Sequence, residues 1–356
     1  MTQPNIHSSR IPYLDLLRVL ACFMVIMVHS GEFFYISSSG GIIREHEFWV
    51  NLYGSFLRIC VPIFVVISGY LILPIKESPS VFYKKRFTRI LFPFLFWSIM
   101  YAVVPFIYRV YNSEVMWYNV AHLFVNFQGS AGHLWFVYML IGLYLFIPFI
   151  SPWVDIASHK QKQLFLLLWS ITLFMPFIKR IFPELWGEVY WNQFHSLFYF
   201  SGYIGYLVLG NYLKEVNISL GKSLSLGICL IGAGYLLTYI GFAYNMPTAK
   251  TLAELELTWS FCTINVAMMT IGFILIFKHI KISSPTFLSW IGQMSNLSYG
   301  VYLTHILVLN EVYKLVSPHF SSPAVTIPIV AIATFSITFS LIRLLAYLPK
   351  SKYLVG

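Results

Sequence analysis

The chain has 356 residues, of which 58% are hydrophobic, 19% aromatic and only 10% charged, and its mean hydropathy is +0.74. Soluble domains carry about 25% charged residues, so a cytosolic enzyme, a disordered chain, a collagen and a disulfide scaffold are all excluded. The net charge of +10 comes from 23 Lys and Arg against 13 Asp and Glu; in a membrane protein such an excess first marks cytoplasmic loops, and no nucleic-acid partner is expected.

A spanning helix needs roughly 20 mostly apolar residues. Ten such runs are read, near 12–34, 48–74, 90–109, 134–151, 163–181, 195–213, 223–244, 256–277, 297–316 and 324–347. The expected fold is an all-α, polytopic membrane helix bundle of about ten transmembrane helices, one integral-membrane unit over 1–356 whose main partner is the lipid bilayer. The first run is too long for a signal-peptide core, and Ser30, Gly31 and Glu32 form no small-x-small cleavage site, so it reads as an uncleaved helix. Pro62 is expected to interrupt the second span, and the tenth begins near Pro323 and Pro328. An even number of spans puts both termini on one side. With that side cytoplasmic, 15 of the 23 cations lie inside and seven lie outside or in outer halves, while most acids, including Glu32, Glu47 and Glu256, lie outside. Both termini are therefore expected in the cytoplasm. Cys22, Cys60, Cys229 and Cys262 all fall within spans and match no metal spacing.

Ionisable side chains inside spans are costly and are functional candidates by default. The first span carries Asp15, Arg18 and His29. Asp15 and Arg18 are i,i+3 neighbours that can pair. Arg18 and His29 are eleven residues apart, three turns plus about 20°, so they share a face and stand about 16 Å apart along the axis. Arg18 reads either as a headgroup-snorkelling cation or as part of a site. His29 reads either as an interhelical hydrogen-bonding group or as a general base. In the second span, Arg58 lies in the outer half, where it can orient an acceptor oxygen or pair with Glu32 or Glu47. Ser68 and Gly69 allow close helix approach and can admit a narrow ligand. Before the third span, Lys84, Lys85, Arg86 and Arg89 fall within six positions, a density that serves positive-inside anchoring and equally suits a phosphate-rich ligand. His133 opens the fourth span and His195 the sixth, while His305 lies mid-span in the ninth with Tyr299 and Tyr302 around it. Convergence of His29, His133 and His195 on a metal is not expected, because no metal spacing supports it.

Five motifs taken in order resemble those of the membrane-bound acyltransferase family 3, along most of the chain. They are Asp15-x-x-Arg18 followed by ten residues and His29; Arg58-x-x-Val61-Pro62-x-Phe64-x-x-x-Ser68-Gly69-Tyr70; Arg86-x-x-Arg89 leading to Phe92-Pro93; His133-Leu134-Trp135-Phe136; and Ser298-Tyr299-Gly300-x-Tyr302-Leu303-x-His305. Val65 stands where many relatives have a second Phe. The pattern is most similar to the stand-alone bacterial O-acetyltransferases of the inner membrane, including those acting on enterobacterial common antigen. The resemblance implies transfer of an acyl group, usually acetyl, from cytoplasmic acetyl-CoA to a hydroxyl of an extracytoplasmic glycan or its lipid-linked precursor. On that reading Arg86 and Arg89, with Lys84 and Lys85, hold the nucleotide phosphates and Ser68 lines the donor's path. Arg18, oriented by Asp15, holds the inner part of the donor or fixes the first helix. His29 is the general base or a transient acyl carrier, and Arg58 meets the developing oxyanion. His133, Trp135, Tyr302 and His305 shape the acceptor side, and no metal is expected. The competing class is a transporter or flippase for a glycan or lipid-linked precursor, which would neither bind nor consume acetyl-CoA.

Overall fold

The computed structural model of the chain describes residues 10–127, 129–185, 187 and 195–356. Among them the architecture is all-helical, with one isolated bridge between Ile36 and Ile42. The helices in chain order are α1 (Pro12–Glu32), α2 (Glu47–Leu57), α3 (Cys60–Ile72), α4 (Pro79–Ile107), α5 (Ser113–Ala121), α6 (Trp135–Ile156), α7 (His159–Thr172) and α8 (Met175–Ile181). They continue as α9 (Ile204–Glu215), α10 (Leu220–Asn245), α11 (Leu252–Leu255), α12 (Ile264–Phe277), α13 (Pro285–Val316), α14 (Pro323–Leu345) and α15 (Lys352–Val355). Eight helical stretches among the described residues are long and apolar enough to cross a membrane. The protein is a polytopic helical membrane protein.

Two of the ten expected spans are not among those eight, for different reasons. The run at 195–213 yields only α9, whose 12 residues reach about 18 Å at 1.5 Å per residue, short of a hydrocarbon core of about 30 Å. α9 is an interior helix instead: Tyr206, Leu207 and Val208 are wholly buried. It crosses α3 at small residues, since a Cβ on Gly69 would strike the Leu207 carbonyl and one on Gly210 the Val66 carbonyl. Such stripes let backbones approach closely. The run at 297–316 lies within α13, whose 32 residues are ample in length but too polar to stand with those eight. α13 packs against α1 and α14, with Ser295, Ser298, Thr304 and His305 buried. A central helix can carry polar groups that a lipid-facing one cannot.

Two boundaries also shift, and both move functional candidates. The second span breaks at Arg58 and Ile59, not at Pro62, which sits in the first turn of α3. Proline lacks an N–H, and its ring clashes with the carbonyl four residues earlier, here Arg58. The break leaves Arg58 as the residue that caps α2. The third span begins at Pro79 rather than near residue 90, with Pro at the first helical position, where its fixed φ favours the start of a helix. The cluster from Lys84 to Arg89 is therefore on α4 itself.

Candidate active site

α1 presents two polar stations on one face. At its basic end, Arg18 Nη1 donates to Ser295 Oγ at 2.8 Å, and Ser295 Oγ donates to Asp15 Oδ1 at 2.6 Å. Arg18 and Asp15 are themselves 3.5 Å apart. The serine of α13 thus completes a three-member bridge that fixes the guanidinium between two helices. At the other end, His29 Nδ1 lies 2.9 Å from Glu32 Oε2. A carboxylate only accepts, so Nδ1 carries the hydrogen, and in the neutral ring Nε2 keeps its lone pair.

A cavity of about 330 Å³ opens at the Arg18 station, lined by Arg18, Ser68, Arg86, Arg89, Ser295 and Tyr299, among others. A second, of about 110 Å³, shares Arg18, Ser68, Leu140, Ser298 and Tyr299 with it and extends to Phe64, Phe136 and Tyr302. The polar, cationic mouth thereby narrows into an aromatic throat. Phe136 meets Phe64 at 5.9 Å and Tyr302 at 5.4 Å between ring centroids. Ser68 is held by donating to the Phe64 carbonyl at 2.8 Å, which leaves its oxygen free to accept.

Beyond the throat three imidazoles converge. Ring centroids are 5.3 Å apart for His29 and His305, 4.9 Å for His133 and His305, and 6.2 Å for His29 and His133. His305 Nδ1 donates to the Tyr302 carbonyl, and His133 Nε2 donates to the Leu303 carbonyl at 3.5 Å. Because carbonyls only accept, these bonds set both tautomers when the rings are neutral. The remaining nitrogens, Nε2 of His305 and Nδ1 of His133, are buried and unpartnered among the described residues. The Tyr302 hydroxyl donates to the His133 carbonyl, tying α13 to the 3-10 turn that leads into α6. The cluster thus offers bare acceptor nitrogens, with His29 alone backed by a carboxylate.

Arg58 is buried at 5% exposure, 3.9 Å from Glu256, 3.4 Å from the Tyr35 hydroxyl and 4.1 Å over the Trp259 ring. Its ion-pair partner is Glu256, neither Glu32 nor Glu47, although it is close enough to Glu32 to interact electrostatically. Tyr35 in turn donates to Glu256 at 2.6 Å, and burial, with the Glu256 charge, pushes its phenol well above the usual range. Trp135 lines neither cavity; it packs against Phe261 at 5.6 Å and Tyr203 at 6.1 Å. Lys84 and Lys85 lie on another face of α4 and line a separate groove. His195 lies against Phe198 instead of joining the cluster, which His305 completes. Among the described residues no group of three His, Cys, Asp or Glu has the geometry to hold a metal ion.

Sequence reasoning missed two members of the site. The sequence reading makes Glu32 an outer acid and a partner for Arg58 but not for His29, although its i,i+3 spacing from His29 is the available signal. Ser295 carries no such signal, since it joins Arg18 from 277 residues away.

Residues 11–343 match the acyltransferase domain of acyltransferase family 3. The chain belongs to that family. No curated protein and no solved structure matches it. Of the two classes raised by the sequence, enzyme and transporter, this acyltransferase family is the former: the protein is a multi-pass membrane enzyme that transfers an acyl group from a donor to an acceptor. The five motifs of the family resemblance fall on α1, α3 with its preceding break, α4, the start of α6, and α13. All five contribute to the lining of the two cavities, and the fourth in chain order adds His133 to the histidine cluster as well as Phe136 to the throat.

Proposed function

We propose that this acyltransferase takes an acetyl group from cytoplasmic acetyl-CoA and transfers it to a hydroxyl of an extracytoplasmic cell-surface glycan or its lipid-linked precursor. It would do so in a bacterial inner membrane, with both termini cytoplasmic and a glycan such as enterobacterial common antigen as the acceptor class. One observation carries the reading: the cationic cavity at Arg18 continues through the Phe64, Phe136 and Tyr302 throat toward His29 and its neighbouring histidines. Arg18 and His29 are about 16 Å apart along the helix axis, a span suited to the extended arm of coenzyme A.

Each residue then has a physical task. Arg86 and Arg89 hold the phosphates at the mouth, with Lys84 and Lys85 adding charge nearby. Arg18, fixed by Asp15 and Ser295, steadies the donor where it enters the throat, and Ser68 lines that path. His29 Nε2 takes the proton of the acceptor hydroxyl as its oxygen attacks the thioester carbonyl. The new C–O bond forms, the C–S bond breaks, and the imidazolium returns the proton to the departing thiolate. In the alternative sequence His29 Nε2 itself attacks, the C–S bond breaks and the thiolate leaves, and the acyl-imidazole then passes its acyl group to the hydroxyl oxygen, whose proton goes to the thiolate as the N–C bond breaks. Glu32 holds the required tautomer and stabilises the imidazolium in the first route, as the carboxylate of a catalytic triad does. Arg58 supplies positive potential at the level of Glu32 for the developing oxyanion. His133 and His305 turn bare nitrogens toward an acceptor rich in hydroxyl donors, framed by Tyr302.

The test is mass spectrometry of surface glycans from cells with the protein, without it, and with His29→Ala. The reading requires an added acetyl per repeat in the first cells only. Equal acetylation in all of them would remove it.

A further inference from the structure

Three helices wall both the cationic mouth and the throat, and each adds one aromatic ring a turn further on. On α3, Ser68 lines both cavities and Phe64 the smaller alone. On α6, Leu140 lines both and Phe136 the smaller alone. On α13, Ser298 lines both and Tyr302 the smaller alone. Each ring stands four residues from its shared neighbour, about 6 Å along its helix. Numbering falls toward the ring on α3 and α6 and rises toward it on α13, so helices of opposite direction bring all three rings to one level. That level faces the histidines, because the Tyr302 ring lies 5.7 Å from the rings of both His133 and His305.

Phe136 is the ring that closes this level. It is buried and touches both of the others, Phe64 at 5.9 Å and Tyr302 at 5.4 Å between centroids. Its neighbour Trp135 points about 100° away round α6, onto Phe261 and Tyr203. Tyr302 is tethered by its hydroxyl to the His133 carbonyl. Phe136 has no polar atom, so packing alone seats its ring, and it is the member of the trio free to yield. With Phe136 in place the throat keeps about 110 Å³, against about 330 Å³ at the mouth. Core packing explains buried aromatic rings in general. It does not require one ring from each of three helices at the same level of the path from Arg18 to the histidines.

Resting on the acyl-CoA reading of the site, we infer that Phe136, closing on Phe64 and Tyr302, is a specificity-determining residue that selects the acyl group by its width. The acyl group leads the donor into the throat and has to pass this level to reach His29. The thioester end of the pantetheine arm is itself an unbranched chain, so a straight, short acyl group passes wherever the arm does. A branch beside the carbonyl needs more width and has to force Phe136 off its neighbours. Close-packed walls resist such displacement, and one methylene more or less in an apolar pocket is worth roughly 10- to 200-fold in discrimination. The filter thus admits acetyl and other straight, short acyl groups and turns away branched ones.

The experiment gives the full chain, in phosphatidylcholine nanodiscs, radiolabelled acetyl-, butyryl- or isobutyryl-CoA with a glycan extract as acceptor. Butyryl and isobutyryl contain the same atoms and differ in branching alone, so the ratio of their kcat/KM values reads width at constant composition. The wild type should use acetyl best and butyryl about tenfold better than isobutyryl. Phe136→Ala should bring the two isomers within about twofold of each other. Phe136→Leu, a milder change that keeps an apolar side chain of intermediate size, should give an intermediate ratio. Both variants should bind coenzyme A itself as the wild type does, since the mouth is untouched, which separates a widened throat from a damaged fold. Equal use of the isomers by the wild type overturns the filter and leaves the acyl-CoA reading intact. So does a wild-type ratio in both variants with coenzyme A binding kept. A wild type that neither binds coenzyme A nor transfers from any of the three donors overturns both.

Discussion

The two stations on α1 are built from opposite electrostatic materials. The Arg18 station uses permanent charge: a guanidinium and a carboxylate at 27% and 16% side-chain exposure, bridged by Ser295, with Arg86 and Arg89 across the cavity. The His29 station gathers titratable imidazoles whose tautomers are set by backbone carbonyls and one carboxylate. A fixed cation can hold an anion but cannot exchange a proton at neutral pH, because guanidinium stays protonated. A neutral imidazole can take and return a proton but holds a phosphate poorly. The division implies that binding and chemistry are separable along one helix, and each substitution below tests that separation.

The largest effect is expected from His29→Ala, which should lower transfer by on the order of a thousandfold, within the range for loss of a general base, while acetyl-CoA binding is kept. Glu32→Gln should come next, with a loss of roughly 10- to 100-fold in kcat and little change in donor binding, because the amide no longer secures the Nδ1–H tautomer or offsets the imidazolium. A Glu32→Gln enzyme with wild-type kcat would cut that carboxylate out of the site. Arg86→Ala with Arg89→Ala should act on the other station: donor affinity falls about tenfold or more, the salt sensitivity of binding diminishes, and kcat at saturation persists. Titration calorimetry across ionic strengths reads both quantities. The smallest effect is expected from Ser295→Ala, which removes one bridging hydrogen bond worth roughly 1 kcal/mol and should weaken donor binding about fivefold; unchanged binding would show that the Arg18–Asp15 pair at 3.5 Å suffices.

The sequence carried these stations to different depths. Arg18 and His29 were legible because both sit on one helix, where 3.6-residue periodicity fixes their relation. The third histidine is not: His29, His133 and His305 come from α1, the turn before α6 and α13, and only packing decides that His305 joins the cluster while His195 does not. Eight of the ten expected spans are helices able to cross a membrane. α9 was misread because burial in protein and burial in lipid select the same apolar residues, and only length separates them. The break at Arg58 was displaced by four residues because the hydropathy pattern reveals a proline but not the carbonyl its ring must avoid. That displacement matters, since it leaves Arg58 between Glu256, Tyr35 and Trp259.

The separation of binding from chemistry is tested most directly by measuring both in one sample. Purified wild type and His29→Ala, reconstituted in the same lipid, would be given radiolabelled acetyl-CoA with a glycan extract as acceptor. Bound donor and acetylated glycan would then be counted together. The account predicts equal donor binding in the two proteins and transfer in the wild type alone. Undiminished transfer by a folded His29→Ala protein would contradict it.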